Sequence, residues 1–340
     1  MRAALALALL ALASACGPAA PPPQGRVLVS ILALGDTGSQ PLRLRVGDRQ
    51  LAVGEALAAE DRRAPAAALL LLGDNFYPDG LGRRDLVARV RRNLVRPYCR
   101  FVDLSGPRSA AVADACSLPP SLRRPEVALY AILGNHDYNR RESPRLQREA
   151  LPRFVANWSM PAGLAEAVEL GHGVSLVLFD SLALYAGGRG EDDLRRALRR
   201  SRGPWRILAG HHPVAAFDGD RPETRYREAV ARAIAEAGRP VHVFLAGHQH
   251  NLRIVELEAP LPPLLAVAGS GSDVRPSQRR PPGQRFAADA HGFARVDLLA
   301  RDGEERLAVS LFRVPVLPLA GPRRLGVWSV DAGGRLRDER

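Results

Sequence analysis

Five short apolar runs each end on a glycine that is followed at once by an acid, an amide or an imidazole. They are LALGDTG with Asp36, LLLLGDNFY with Asp74, AILGNHD with Asn135 and His136, ILAGHHP with His211 and His212, and FLAGHQH with His248 and His250. A chain that drives greasy strands into polar tips has to bury the strands and gather the tips. Strand-like runs lie at 27–34, 66–72, 128–133, 174–179, 205–209 and 241–246, and helix-like patterns between most of them at 48–63, 85–96, 191–202 and 223–237. The alternation makes the class α/β. From 252 onward the runs LRIVEL, LLAVAGSG, GFARVDLL, LAVSLFRV and RLGVWSV follow without good helices, as an antiparallel sheet closing the same domain would. The proline- and arginine-rich inserts at 97–125 and 274–286 read as surface loops.

Carboxyl ends of parallel strands collect at one sheet edge, where loops form the ligand crevice. The tip glycines are expected to let the backbone turn sharply, so that the next side chain points into that crevice. One such tip is an ordinary turn, cap or hydrogen-bonded histidine. Five together are a donor set. Carboxylate, amide oxygen and imidazole suit zinc, manganese or iron, and no tip offers a thiolate. The donors outnumber what one tetrahedral ion can use and suit two ions sharing a bridging carboxylate.

These ordered tips resemble the calcineurin-like metallophosphoesterases, and more closely their purple acid phosphatase branch of tartrate-resistant type, from about 27 to about 330. Two details select the branch. Gly38 stands where most of that family has the histidine of a first Asp-x-His motif, and GDNFY places Tyr77 three residues after Asp74, where purple phosphatases have a ferric ligand. The resemblance implies an α/β sandwich of two packed mixed sheets flanked by helices. It implies one ion held by Asp36, Asp74, Tyr77 and His250, and a second by Asp74, Asn135, His211 and His248. The pair would be Fe(III) with Fe(II), Zn(II) or Mn(II). The implied reaction is hydrolysis of phosphomonoesters by direct attack of metal-bound hydroxide, with Asn135 and His136 at the phosphate and His136 also assisting the leaving group. His212 stands where relatives often have tyrosine and is expected to face substrate. A further substrate histidine of mammalian relatives has no counterpart, since PVAAFDGD offers only Asp218 and Asp220. Asp137 is expected to support its turn. A phosphodiesterase on the same scaffold, or a surface lipoprotein that binds metal without turnover, would share these motifs.

The first fifteen residues pair Arg2 with an alanine and leucine run, too short to span a membrane and shaped like an export signal. ASA suits ordinary cleavage, whereas LASAC resembles a bacterial lipoprotein box in which Cys16 carries lipid; 16–25 then reads as a tether. One domain is expected at 26–332 and a tail at 333–340. The expected location is outside the cytoplasm, periplasmic or on the cell surface of a bacterium, with the lipid anchor in its membrane. Cys99 and Cys116 remain as an even pair for a disulfide. The net charge is +12, but all 48 basic residues are arginine, and they are scattered or interleaved with acids as on solvated helices. Nucleic acid is therefore not expected as a partner, and the chain is expected to act as a monomer.

Overall fold

Alternation within each strand sorts its side chains onto two faces, and in the central strands both faces are buried. The computed structural model describes residues 19–38, 48–215, 222–276, 280–315 and 321–339. The export signal at 1–15, Cys16, Asp218 and Asp220 lie outside these residues. The strands are β1 (Arg26–Leu34), β2 (Ala68–Leu71), β3 (Ala128–Ala131), β4 (Trp158–Ser159), β5 (Ala165–Glu169), β6 (Val174–Phe179), β7 (Trp205–Ala209), β8 (Val243–Ala246), β9 (Leu252–Glu256), β10 (Leu264–Ala268), β11 (Gln284–Ala288), β12 (Gly292–Arg301), β13 (Glu304–Arg313), β14 (Arg323–Asp331) and β15 (Leu336–Asp338). They form an eight-stranded sheet ordered β15-β14-β13-β12-β1-β2-β3-β4 and a seven-stranded sheet ordered β11-β9-β10-β8-β7-β6-β5. β1 to β4 run parallel, β1 joins the β12–β15 meander antiparallel, and β6, β7, β8 and β10 are parallel.

Ile31, Ala33, Leu70 and Leu72 pack between the sheets against Leu176, Ile207, Val243 and Leu245. Leu32, Leu34, Leu69 and Leu71 face outward under the helices Arg49–Arg63 and Leu86–Val90. Val177, Phe179, Leu208 and Phe244 do the same under the helices Ser181–Gly187, Glu191–Arg200 and Pro222–Ala237. The result is helix, sheet, sheet, helix. This is why four consecutive leucines can serve one strand: a parallel strand covered on both faces reads as an unbroken apolar run. Each fully buried leucine contributes about 1.5–3 kcal/mol.

The insert at 97–125 is not the surface loop its composition suggests. Tyr98, Phe101 and Val112 are fully buried and extend the core under the first sheet, and Cys99 and Cys116 are disulfide-bonded with Cα atoms 5.0 Å apart. Arginines, which marked it as surface, instead close on a buried acid: the Asp61 carboxylate accepts from Arg100 Nε, Arg124 Nη1 and the Ala66 amide at 2.7, 2.7 and 2.8 Å. The insert at 274–286 likewise ends in ordered structure, with β11 pairing on β9. The expected tail contains β15, which adds an edge strand to β14, and part of the tether is pinned where the Ala20 amide donates to Arg324 O at 3.0 Å.

Truncating Asp61 to alanine strands two guanidinium groups against the core, and Asp61→Ala is expected to cost about 3–5 kcal/mol. The midpoint of urea unfolding reads this, and an unchanged midpoint would contradict the clamp.

Candidate metal centre

Parallel β1, β2 and β3 of one sheet and β7, β8 and β10 of the other point their carboxyl ends to the same edge of the sandwich. There the two sheets are stitched together: the Gly35 amide donates to Ala268 O at 2.7 Å and the Gly271 amide to Gly35 O at 3.1 Å. Asp36, Asp74 and Asn135 arrive from the first sheet, and His211, His248 and His250 from the second. A sixth tip, Gly269 to Asp273 after β10, joins them.

The tip glycines do not perform the turns expected of them. Of Gly35, Gly73, Gly134, Gly210 and Gly247, only Gly73 has positive φ, at +87°. The turns are made by the donors themselves: Asp36, Asp74, His248 and His250 have φ of 58°, 53°, 67° and 34°. Non-glycine residues reach this region at a cost and persist there where surroundings fix them. The glycines supply space instead. A Cβ on Gly134 would lie 2.1 Å from Asp74 Oδ1, and one on Gly247 2.7 Å from Asp36 Oδ2.

Asp74 is fully buried and sits between two groups of donors. On one side, Tyr77 OH lies 2.6 Å from Asp74 Oδ2, 3.3 Å from Asp36 Oδ1 and 2.8 Å from His250 Nε2, with His250 Nε2 3.2 Å from Asp36 Oδ1. On the other, His211 Nε2 lies 3.4 Å from Asp74 Oδ2 and 3.1 Å from Asn135 Oδ1, which is 3.2 Å from His248 Nδ1. Donors about 3 Å apart are what an ion with bonds of about 2.0–2.2 Å needs around it. Asp36, Asp74 and His211 also bring one ligand atom each within 4.8 Å of one another. The residues therefore fit a cation pair bridged by Asp74, with all seven expected donors in the two groups. His211 Nδ1 lies 2.8 Å from Leu72 O, so its proton goes to that carbonyl and Nε2 is left as the ligating atom.

The buried donors shift one another's affinity for protons. Burial, and then Asp74, raise the Asp36 carboxyl well above the usual carboxylate range against the pull of His211. Burial works the same way on Asp74, but the His211 charge and the hydrogen bonds from His211 and Tyr77 hold it below that range. Burial opposes charge on His211, yet Asp74 and Asp36 lift it to about 9. Burial and the His211 charge lower His248 to about 3, and burial with Arg275 lowers His250 to about 4. Burial and both carboxylates push the Tyr77 phenol up. Asp36, Tyr77 and His211 are thus each shifted toward their protonated forms, and a cation would compete with those protons.

Gly38 explains its own departure from Asp-x-His. Its φ is +81°, and a Cβ there would lie 2.4 Å from Asn75 O. Histidine does not fit, because the backbone that carries Tyr77 occupies that space. His136 is half-buried at the rim, its ring 4.3 Å from that of Tyr77 and Nδ1 2.7 Å from Pro78 O, while its amide donates to Asp74 Oδ1 at 2.9 Å. Asp137 is buried and accepts from the amides of Gly134 and Asn75 at 3.0 and 3.1 Å, the turn support expected of it. His212 is 2 % exposed and stacks on Tyr185 at 4.5 Å, with His248 at 4.5 Å and Nδ1 2.9 Å from Ser181 Oγ. It backs His248 from within instead of facing the open crevice. Sequence reasoning missed Ser272, whose hydroxyl donates to Asp36 O at 2.6 Å, Asp273 beside His250, and the Tyr138–Asp180 hydrogen bond that ties β3's tip to β6's. AVAG followed by SGSD repeats the apolar-run-then-glycine pattern with its acid displaced by three residues, which is the signal that could have found the sixth tip.

Comparison with known proteins shows the family and the fold. The family profile described as calcineurin-like phosphoesterase matches residues 29–252. Purple acid phosphatase 17 of Arabidopsis thaliana is 26% identical over 299 residues, covering 81% of this chain and 79% of its own length. Tartrate-resistant acid phosphatase type 5 of Homo sapiens is 25% identical, covering 73% of this chain and 74% of its own. Among solved structures, GAP50, described as the anchor in the inner membrane complex of Plasmodium, superposes with a TM-score of 0.60 at 13% identity, covering 88% of this chain and 89% of its own. PhoD gives 0.58 at 14% identity, covering 94% and 73%. These two likenesses concern the fold.

Two outcomes follow for the site. Gly134→Ala should empty it of metal by displacing Asp74, whereas Gly163→Ala, with nothing within 4 Å of the added methyl, should leave metal content unchanged; elemental analysis of the two proteins decides. Because His211 holds its proton up to about 9, Zn²⁺ uptake near neutral pH should release protons and tighten as pH rises toward that value. Calorimetric titration in buffers of different ionisation enthalpy measures the release, and pH-independent affinity would contradict it.

Proposed function

The chain belongs to the calcineurin-like phosphoesterases, metal-dependent phosphoric ester hydrolases, and from that premise we propose that it is an exported bacterial phosphatase of purple acid type acting on phosphomonoesters. The observation that carries the reading is the grouping of Tyr77, Asp36 and His250 on one side of Asp74 and His211, Asn135 and His248 on the other. Tyr77 as a phenolate favours Fe(III) on its side, with Fe(II), Zn(II) or Mn(II) beside it. Bound there, the pair would supply Lewis-acid polarisation of the phosphoryl oxygen and water acidic enough to act as nucleophile.

The chain's own groups do the rest. Asn135 and His136 stand side by side at the mouth of the site, placed to orient a phosphate. His136 Nδ1 donates to Pro78 O, so Nε2 is the atom that would hand a proton to the leaving alkoxide. Asp137 and Gln147 hold the loop beneath, the Gln147 amide donating to Asp137 Oδ1 at 2.8 Å. His212, held by Ser181 Oγ at 2.9 Å from its Nδ1, backs the ring of His248. No serine or cysteine stands among the donors, so no phosphoenzyme is expected. Export is supported by the leader pattern at 1–15 and by the Cys99–Cys116 disulfide, a bond that persists outside reducing compartments. Lipid on Cys16 would tether the enzyme through the segment at 16–25, and a monomer suffices, since every donor comes from one chain.

The purified chain should hold two metals per molecule and show a broad visible band that disappears in Tyr77→Phe; a colourless dizinc protein would move the assignment to the wider family. An aryl phosphate should turn over faster than its bis-aryl diester from about pH 4 to about pH 8. The reverse order would make the protein a diesterase, and no turnover of either would make it a metal-binding surface protein. His136→Ala should lower kcat by about 10²–10⁴-fold with metal content unchanged.

A further inference from the structure

His250 has two ring nitrogens with very different surroundings. Nε2 faces Tyr77 OH at 2.8 Å and Asp36 Oδ1 at 3.2 Å, the donors of one half of the site. A nitrogen that ligates a cation must give up its proton, so Nδ1 carries the ring's N–H and needs an acceptor. Among the described residues none is within hydrogen-bond range: Nδ1 is buried without a hydrogen-bond partner, and the residue is 2 % exposed. His211 presents the contrast, since its Nδ1 already donates to Leu72 O. The carboxylate facing the orphaned atom is Asp273, with Oδ2 3.6 Å from Nδ1 and a side chain 59% exposed.

The backbone beneath Asp273 is held by hydrogen bonds, while its side chain is 59% exposed to solvent. Gly271 N bonds to Gly35 O at 3.1 Å, Ser272 Oγ to Asp36 O at 2.6 Å, and Arg275 N to His250 O at 3.0 Å. This loop is therefore tied to the strand tip that presents Asp36 and to His250 itself. A closing movement of less than about 1 Å brings Oδ2 into hydrogen-bond range of Nδ1–H.

We propose that Asp273 is a positioning residue for His250: its carboxylate accepts the Nδ1 proton once Nε2 engages a cation, fixing the ring and strengthening it as a donor. Carboxylate–imidazole pairs of this kind set ligand orientation and basicity, and their loss costs about 10–100-fold in metal affinity or activity. The inference rests on the reading of the site as a metal centre and extends it to the tip of β10, which supplies none of the seven donors.

The test uses the purified full chain, stripped of metal and titrated with Zn²⁺, followed by dilution into a chelator. Asp273→Ala should weaken one of the two binding events by about tenfold or more and speed loss of that ion, with the other event unchanged. Asp273→Asn, whose amide oxygen still accepts the Nδ1 proton, should fall between Asp273→Ala and the unaltered protein. The thermal midpoint of the stripped protein should be the same for all three. Asp302→Asn, the same charge change at a turn 85% exposed, should bind like the unaltered chain. Binding of both ions by Asp273→Ala as tightly as by the unaltered chain overturns the proposal alone. So does a stripped Asp273→Ala protein that melts lower, or an Asp273→Asn protein as weak as the alanine variant. Failure of the unaltered chain to take up Zn²⁺ overturns the metal-centre reading and this proposal with it.

Discussion

Everything at the edge where the strand tips meet is arranged around one buried carboxylate. Asp74 accepts from the His136 amide through Oδ1, while Oδ2 lies within 2.6 Å of Tyr77 OH and 3.4 Å of His211 Nε2. An unpaired charge at that depth would be strongly disfavoured, and a lone hydrogen bond would not hold it. Asp74 is stable there because groups from two sheets converge on it. The same convergence makes it available to two cations at once. Burial, which penalises the metal-free charges, is what makes their interaction with a cation strong.

That arrangement requires the two sheets to be locked in relative position to within a fraction of an ångström. Bonds between the ends of β1 and β10 supply part of the lock, and the apolar layer of Ile31, Leu70, Leu176 and Ile207 supplies the rest. A second buried polar system works away from the site: Arg295 donates to Asp297 at 2.8 Å, to Ser30 Oγ at 2.6 Å and to Ala64 O at 2.6 Å. It fixes β12 against β1 and against the end of the helix Arg49–Arg63. The chain therefore places polar groups in its interior where direction matters and leucine where only volume does.

Much of this was legible in the sequence because the signals were local and periodic. Apolar runs of strand length, ended by glycine and a donor, located β1, β2, β3, β7 and β8 and the residues at their tips. The two-sheet architecture and the shared role of Tyr77 needed the family resemblance. What stayed hidden depended on contacts between segments distant in sequence. The insert at 97–125 looked like surface because arginine and proline dominate it, and only Asp61, far upstream, makes Arg100 and Arg124 interior. The tip after β10 was overlooked since its acid does not directly follow the glycine. His212 was expected at substrate because relatives often have tyrosine at its place, but successive residues at a strand end face opposite ways, and its ring lies inward beside Tyr185.

The glycines carry a consequence for how such a chain can change over time. At Gly134, Gly247 and Gly269, the volume a methyl group would take is filled by oxygens of Asp74 and Asp36. Mutational drift at these positions is thus blocked by the carboxylates together with nearby backbone: a Cβ on Gly134 would also lie 2.4 Å from the Asp74 amide nitrogen, and one on Gly269 2.9 Å from the Gly247 carbonyl carbon. A descendant that lost those aspartates would be eased mainly at Gly247, where the nearest backbone atom is Leu72 O at 3.0 Å. Of the three, Gly247 is therefore the position that reports most directly on whether the Asp36 carboxylate is still in place.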